Sequence, residues 1–305
     1  MKTVKIGGKL EASTISLGCM RISGMADKDL QTLIKTAIEG GINFFDHADI
    51  YGGGKSEEVF GKAIKAMGVK REEILIQSKC GIRNGFFDFS KEYIVESAEK
   101  ALVRLGMDYM DVFLLHRPDT LMEPEEVAEA FETLKKAGKV RHFGVSNHNP
   151  AQIRLLNKYL GENNIIVNQL QFSPAVTGMI DNGLNVNMTN TPSFDHDGSV
   201  LEFCRLENIT IQAWSPFQYG FFEGVFLGHE KYADLNSVIN KLAGEKSVTP
   251  EAIVVAWILR HPAKMQVIPG STNVERIKGM CKAYDFELTR QEWYEVYTSA
   301  GNVLP

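Results

Sequence analysis

Short apolar runs alternate with longer amphipathic stretches along nearly the whole chain, and no other feature restricts the fold as tightly. The apolar runs at 15–18, 42–46, 74–79, 112–116, 140–145, 166–172, 210–214 and 266–268 read as eight strands. Between them, 29–39, 57–67, 91–105, 124–137, 150–160 and 250–260 carry helical patterns. Ser90, Asn149 and Thr249 stand where N-caps belong, with Pro150 and Pro250 opening their helices, and Gly68, Gly106, Gly138 and Gly161 stand where helices end. Such alternation belongs to parallel sheets. Eight units without a break in composition predict a single (β/α)8 TIM-barrel domain over residues 1–305, opened by a short N-terminal β-hairpin around Gly7-Gly8. A doubly wound dinucleotide fold would need Gly-x-Gly-x-x-Gly after the first strand, and Leu17-Gly18-Cys19-Met20-Arg21 does not supply it.

In a barrel of this kind the chemistry sits at the C-terminal ends of the strands. Asp46, Lys79 and His116 each close a strand, and Tyr51 follows one short loop after Asp46. If the strands are parallel neighbours, the four converge on one face. Tyr51 is the candidate proton donor, and a phenol with a pKa of about 10 is helped by a nearby cation. Lys79 at about 4 Å, in an effective dielectric near 20, would attract the phenolate by about 4 kcal/mol. That predicts a lowered Tyr51 pKa. Asp46 then keeps Lys79 charged, and His116 orients the substrate oxygen or shares the proton.

Two other motifs carry less. Gly52-Gly53-Gly54-Lys55-Ser56 looks like a phosphate loop, but that motif needs glycine where Asp49 stands. His47 and Asp49 have no third ligand at diagnostic spacing, so no metal site is predicted.

A net charge of −5 with scattered Lys and Arg gives no footprint for nucleic acid. Cys19, Cys80, Cys204 and Cys281 lie far apart and read as free thiols in a reducing compartment. No apolar run of about 20 residues predicts a membrane span, and the start of the chain lacks a signal-peptide core. A cytoplasmic location is therefore expected. The polar segment 173–198 and the aromatic-rich segment 218–232 are longer than a barrel requires, and both are expected to cover a ligand. No heptad or unusually apolar helix face demands a second subunit, which leaves oligomeric state open.

Three stretches, 40–52, 106–119 and 138–147, resemble the signatures of aldo-keto reductases. Asp46-His47-Ala48-Asp49-Ile50-Tyr51-Gly52 and Leu115-His116-Arg117-Pro118-Asp119 are similar to the bacterial YdhF-like branch, and the resemblance extends over nearly the whole chain. It implies a catalytic tetrad of Asp46, Tyr51, Lys79 and His116, the four residues that the strand ends single out. It implies that Ser146, Asn147 and Gln169 hold a nicotinamide carboxamide, with Asp46 nearby, and that Trp214 stacks on the ring. Ser215 and Phe217 would meet the pyrophosphate, while Gly270, Ser271, Thr272 and Arg276 would meet the adenosine phosphate. Met20 and Arg21 match a cofactor-facing loop after the first strand.

The pattern departs from many relatives at Gly270, where they carry Lys, and at Gly279-Met280, where they carry Glu or Gln followed by Asn. Arg276 keeps one cation for a 2′-phosphate, so NADPH is expected over NADH. The activity so implied is reduction of small aldehydes or ketones. Two other readings are a non-catalytic, cofactor-sensing barrel and an aldolase or isomerase with Lys79 as Schiff-base nucleophile.

Overall fold

The computed structural model describes residues 2–305. Its strands are β1 (Thr3–Ile6), β2 (Leu10–Ser13), β3 (Leu17–Gly18), β4 (Phe44–Asp46), β5 (Leu75–Cys80), β6 (Met110–Leu115), β7 (Val140–Ser146), β8 (Ile165–Gln171), β9 (Thr210–Trp214), β10 (Gln218–Tyr219), β11 (Gly224–Val225) and β12 (Gln266–Ile268). The helices are α1 (Asp27–Glu39), α2 (Lys55–Met67), α3 (Lys91–Leu105), α4 (Pro124–Lys136), α5 (Pro150–Leu160), α6 (Gly178–Leu184), α7 (Val200–Leu206), α8 (Ala233–Lys246), α9 (Pro250–Arg260), α10 (Val274–Cys281) and α11 (Arg290–Ser299).

The eight expected strands form one sheet in the order β3-β4-β5-β6-β7-β8-β9-β12, every pair parallel. A parallel bridge between Ile15 and Val267 joins its two edges, through Val267 N to Thr14 O at 2.8 Å and Ser16 N to Val267 O at 2.9 Å. Closure leaves no free edge for another chain to pair with. The strands are buried on both faces because helices cover the outside and side chains fill the inside, which is why they read as unbroken apolar runs.

The hairpin β1-β2 turns through Gly7 and Gly8, both at positive φ (54° and 69°). It turns Val4 and Ile6 inward, and with Ala12 they pack on Phe44, Val112, Leu114, Ile166 and Val167. Phe44 begins β4 and Ile166 lies near the start of β8, so the hairpin plugs the N-terminal mouth and leaves the opposite mouth open. Burying Val4 and Ile6 there contributes about 1.5–3 kcal/mol each.

Around the barrel, α5 is held by a capping box of Asn149 and Gln152, and α9 by Thr249. Ser90 occupies the N-cap position of α3, but its hydroxyl donates to Asp88 Oδ1 at 2.7 Å and makes no cap bond to the helix amides. Gly68 and Gly106 take the expected left-handed conformation, whereas Gly161 combines φ 56° with ψ −121°. Trp257 of α9 and Trp293 of α11 stack at 4.9 Å, and each indole N–H donates to the other residue's carbonyl, at 3.0 and 2.9 Å. These paired bonds fasten the last helix to the ring.

Helices α2 and α3 approach closely at Gly61, where an added Cβ would lie 2.1 Å from the Leu105 carbonyl oxygen. Alanine in place of a helix-interior glycine ordinarily stabilises by roughly 0.5–1 kcal/mol. Gly61→Ala is expected to do the reverse and cost about 1–3 kcal/mol, since backbone must shift to make room. Urea unfolding reads the sign directly, and a higher midpoint for the variant would rule out this approach of the two helices.

Candidate active site

Parallel pairing sets the C-terminal ends of β4, β5 and β6 side by side, and the two-residue period of a strand decides which side chains turn inward. Asp46 ends β4, while Gln77 and Lys79 lie two apart on β5 and His116 follows β6. The register aligns Asp46 with Gln77 and Lys79 with Leu114. Tyr51 enters from a tight 3-10 turn, Tyr51–Gly54, in which Gly52 and Gly53 have φ of 57° and 63°. A Cβ at Gly52 would also lie 2.6 Å from Ser23 Cβ, so that position needs glycine for both conformation and space.

Lys79 is fully buried, and all three of its donors are used. Its Nζ lies 2.8 Å from each Asp46 oxygen, 2.6 Å from the His47 carbonyl oxygen and 3.2 Å from Tyr51 Oη. Burial works to strip the Lys79 proton, but Asp46 and Tyr51 outweigh it and hold the ammonium above its ordinary pKa. The expectation of a lowered Tyr51 pKa does not hold. Burial pushes the phenol up, Lys79 only partly offsets that, and Asp46 adds to it. A bare cation would lower the phenol's pKa, whereas this ammonium arrives already paired with a carboxylate in a buried site.

His116 stands edge-on to Tyr51, with ring centroids 6.2 Å apart. Burial, then Lys79 and Arg117, push its pKa well below the usual histidine value, so the imidazole is neutral. Its Nδ1 is buried without a partner.

Behind Asp46 runs a chain of glutamine amides, of which sequence reasoning named only Gln169, through the resemblance. Gln77 Nε2 and Gln169 Nε2 donate to Asp46 Oδ1 at 2.6 and 3.0 Å, and both also reach Gln212 Oε1, at 2.9 and 3.1 Å. Gln212 in turn donates to Gln266 Oε1 at 2.8 Å, and Gln266 to the Ser13 carbonyl at 2.7 Å. All four glutamines are buried, and apart from the resemblance that names Gln169, their only signal in the sequence is a polar residue placed inside each of four apolar runs. A buried amide seeks partners, and here most are one another, Asp46 and the Ser13 carbonyl, while Gln77 Oε1 is left without one.

Above these groups the open mouth holds a cavity of about 610 Å³. Asp46, Tyr51 and His116 line it, with Lys79 enclosed beneath. Ser146, Asn147, Gln169 and Trp214 line its wall; Asn147 Nδ2 donates to Ser146 Oγ at 2.7 Å, and Trp214 Nε1 to Asn147 Oδ1 at 3.3 Å. Ser215 and Phe217 lie beside Trp214. Met20, Arg21, Gly270, Ser271, Thr272 and Arg276 form the far end, where Arg21 Nη1 donates to the Gly270 carbonyl at 3.3 Å and Arg276 Nε lies 3.5 Å from Glu251. Asn147, Ser215 and Phe222, all lining residues, take positive φ of 60°, 51° and 59°. Strained backbone of this kind concentrates where a site dictates side-chain direction.

The two long segments part company. Residues 218–232 form the small hairpin β10-β11 and its flanks, which bring Phe221, Phe222, Val225 and Leu227 to the cavity. Phe222 stacks on Trp214 with centroids 5.8 Å apart. The other segment, 173–198, contributes no lining residue, contrary to expectation. Met179 and Ile180 of α6 are buried in the core, and Asp181 accepts from Tyr297 Oη at 2.8 Å, so the segment packs against α11 instead. Arg117, also unassigned by sequence reasoning, lies over the rings of Trp214 (5.9 Å) and Phe221 (5.4 Å).

Residues 14–299 match the sequence model of the Aldo/keto reductase family. The chain belongs to that family. It is similar to the Escherichia coli (strain K12) oxidoreductase YdhF, with 33% identity covering 95% of this chain and 94% of YdhF, in keeping with the branch that the motifs resemble. It is also similar to a 6-dehydroglucose reductase of Agrobacterium fabrum, with 32% identity over 98% of both chains. An aldo-keto reductase from Klebsiella pneumoniae, solved in complex with NADPH, shares the fold at a TM-score of 0.79 and 24% identity, covering all of this chain and 96% of that one. The protein is thus an aldo/keto reductase-family oxidoreductase on a (β/α)8 barrel.

In this family member a second carboxylate stands close behind the site. Asp49 Oδ1 is buried without a partner, and Tyr93 Oη donates to Oδ2 at 3.3 Å. Burial, with Glu57 adding to it, pushes the Asp49 pKa up to about 6. The native state therefore binds this proton more tightly than the unfolded chain does. The contribution is fully present below about pH 4 and is lost as pH rises through about 6. Asp49→Asn is expected to be more stable than the parent at pH 7.5, by up to about 3 kcal/mol, with no advantage at pH 4. Urea unfolding at the two pH values tests this, and an equal difference at both would exclude the linkage.

Proposed function

We propose that the protein reduces small aldehydes or ketones to alcohols with NADPH, with Tyr51 as proton donor and Lys79, Asp46 and His116 assisting. The observation that carries this reading is the ammonium of Lys79 donating to Tyr51 Oη at 3.2 Å from a fully buried pair with Asp46.

A raised phenol pKa keeps Tyr51 in its acid form at neutral pH, ready to give a proton. As that proton leaves toward the substrate oxygen, negative charge develops on Tyr51 Oη. Lys79, already aimed there, stabilises it without reorganising. Asp46, fixed by two glutamine amides, keeps the ammonium charged and in place. His116, neutral, offers the carbonyl oxygen a hydrogen bond rather than a competing charge.

The cavity fits a nicotinamide dinucleotide on several counts. Ser146, Asn147 and Gln169 present amide and hydroxyl groups to a carboxamide, and Trp214 presents a ring face. At the far end a Cβ on Gly270 would lie 3.1 Å from Arg21 Nη1, so glycine keeps that passage open. Ser271 and Thr272 supply hydroxyls, and the exposed Arg276 supplies a cation loosely held by Glu251. When bound, the cofactor supplies a hydride. The NADPH in the Klebsiella pneumoniae relative supports the choice of cofactor. NADPH is favoured over NADH through Arg276, and Arg276→Ala should weaken NADPH about tenfold while leaving NADH nearly unchanged, by fluorescence titration. Equal losses for both would count against a 2′-phosphate contact.

We take residues 1–305 as one catalytic domain acting in the cytoplasm; no helix among the described residues is long and apolar enough to cross a membrane. The decisive test is Tyr51→Phe. Cofactor binding should persist while turnover falls by about 10² to 10⁴. Undiminished turnover would remove Tyr51 from the mechanism, and tight binding with no turnover in the parent would favour a cofactor-sensing role.

A further inference from the structure

Four arginines of this chain are partly buried: Arg71, Arg104, Arg117 and Arg260. Three have carboxylate partners, Asp111 at 2.6 Å from Arg71, Glu57 at 2.6 Å from Arg104 and Glu287 at 3.1 Å from Arg260. Arg117 has none among the described residues, although it loses water as they do. What holds it is aromatic, with Trp214 and Phe221 flanking the guanidinium. Rings of this kind stabilise a cation from its faces and leave its N–H edge free for a planar, bidentate acceptor.

The cavity supplies no such acceptor. Its two carboxylates are committed elsewhere, Asp46 to Lys79 and Glu251 to Arg276. Arg117 follows His116 directly, whereas Arg276 lies with Ser271 and Thr272 at the α10 end, which the proposed reading gives to the cofactor phosphate. The cavity thus has two cationic ends, and only the one beside Tyr51 and His116 is unaccounted for.

We propose that Arg117 binds a carboxylate on the substrate, so that the carbonyl compounds this enzyme prefers are oxo acids. The inference rests on the reductase reading and narrows its substrate class. Phe221 and Phe222 then cover the apolar part of the same molecule.

The test compares 2-, 3- and 4-carboxybenzaldehyde with the matching carboxamides, which keep the shape and lose the charge. For at least one isomer, kcat/KM for the acid should exceed that for the amide by about tenfold or more, through KM, and should fall as salt is raised. In Arg117→Gln that ratio should collapse toward one, and Arg117→Lys should restore part of it. As a readout independent of turnover, calorimetry with NADP⁺ present should find that the acid's alcohol product binds more tightly than the amide's, and that Arg117→Gln abolishes the difference. Acid-to-amide ratios near one for every isomer, or a preference unchanged in Arg117→Gln, would overturn the proposal while leaving the reductase reading intact. Absence of turnover of all six aldehydes despite NADPH binding would instead overturn the reductase reading, and this inference with it.

Discussion

A charged lysine with no exposure to water needs a reason to stay charged, and in this barrel that reason is Asp46. Removing one partner of such a buried pair typically costs 3–5 kcal/mol, because the other charge is left without compensation. Much of the surrounding architecture serves the pair. The register of β4 against β5 sets the two side chains on one interior face, the His47 carbonyl takes one ammonium proton, and the Tyr51 phenol takes another. The proposed chemistry draws on the hydrogen bond that Lys79 directs at Tyr51.

The glutamine chain extends this support through the barrel. From Asp46 it runs through Gln77 and Gln169 to Gln212 and Gln266, ending at a backbone carbonyl before β3. Four different strands are tied to one carboxylate, so its position depends on the whole barrel rather than on β4 alone. Gln169 belongs to this chain and also lines the cavity, which links the proposed cofactor wall to the same framework. The aromatic part of the cavity is built on other terms. Trp214, Phe221, Phe222 and Arg117 meet by stacking and cation–π contact, which suits adaptable substrate binding better than fixed proton positions.

Much of this was legible before any coordinates. Eight apolar runs predicted eight strands, and the carboxylate, ammonium and imidazole at their ends predicted where they would meet, because parallel strands carry their C-terminal ends to one side. The residues proposed to face the cofactor were legible only by resemblance, since nothing in the local spacing of Ser146, Asn147 or Trp214 marks a binding wall. The direction of the Tyr51 shift was misjudged, because burial depends on atoms far along the chain. The lining role expected of 173–198 failed for a similar reason: its polar, turn-rich composition hides Met179, Ile180 and Asp181, which anchor it to the helical ring.

The sequence by itself determined the barrel, through a periodicity that each local segment carries, and determined the identities of the four groups at the strand ends. Only the tertiary structure decided that Gln77, Gln169, Gln212 and Gln266 join into one chain, that 218–232 and not 173–198 lines the cavity, and that Arg117 is left without an acid. Most of these contacts join residues tens to more than a hundred positions apart. Hydrogen bonds, stacking and desolvation act over a few ångströms in space, and no local pattern records which distant side chain will arrive there.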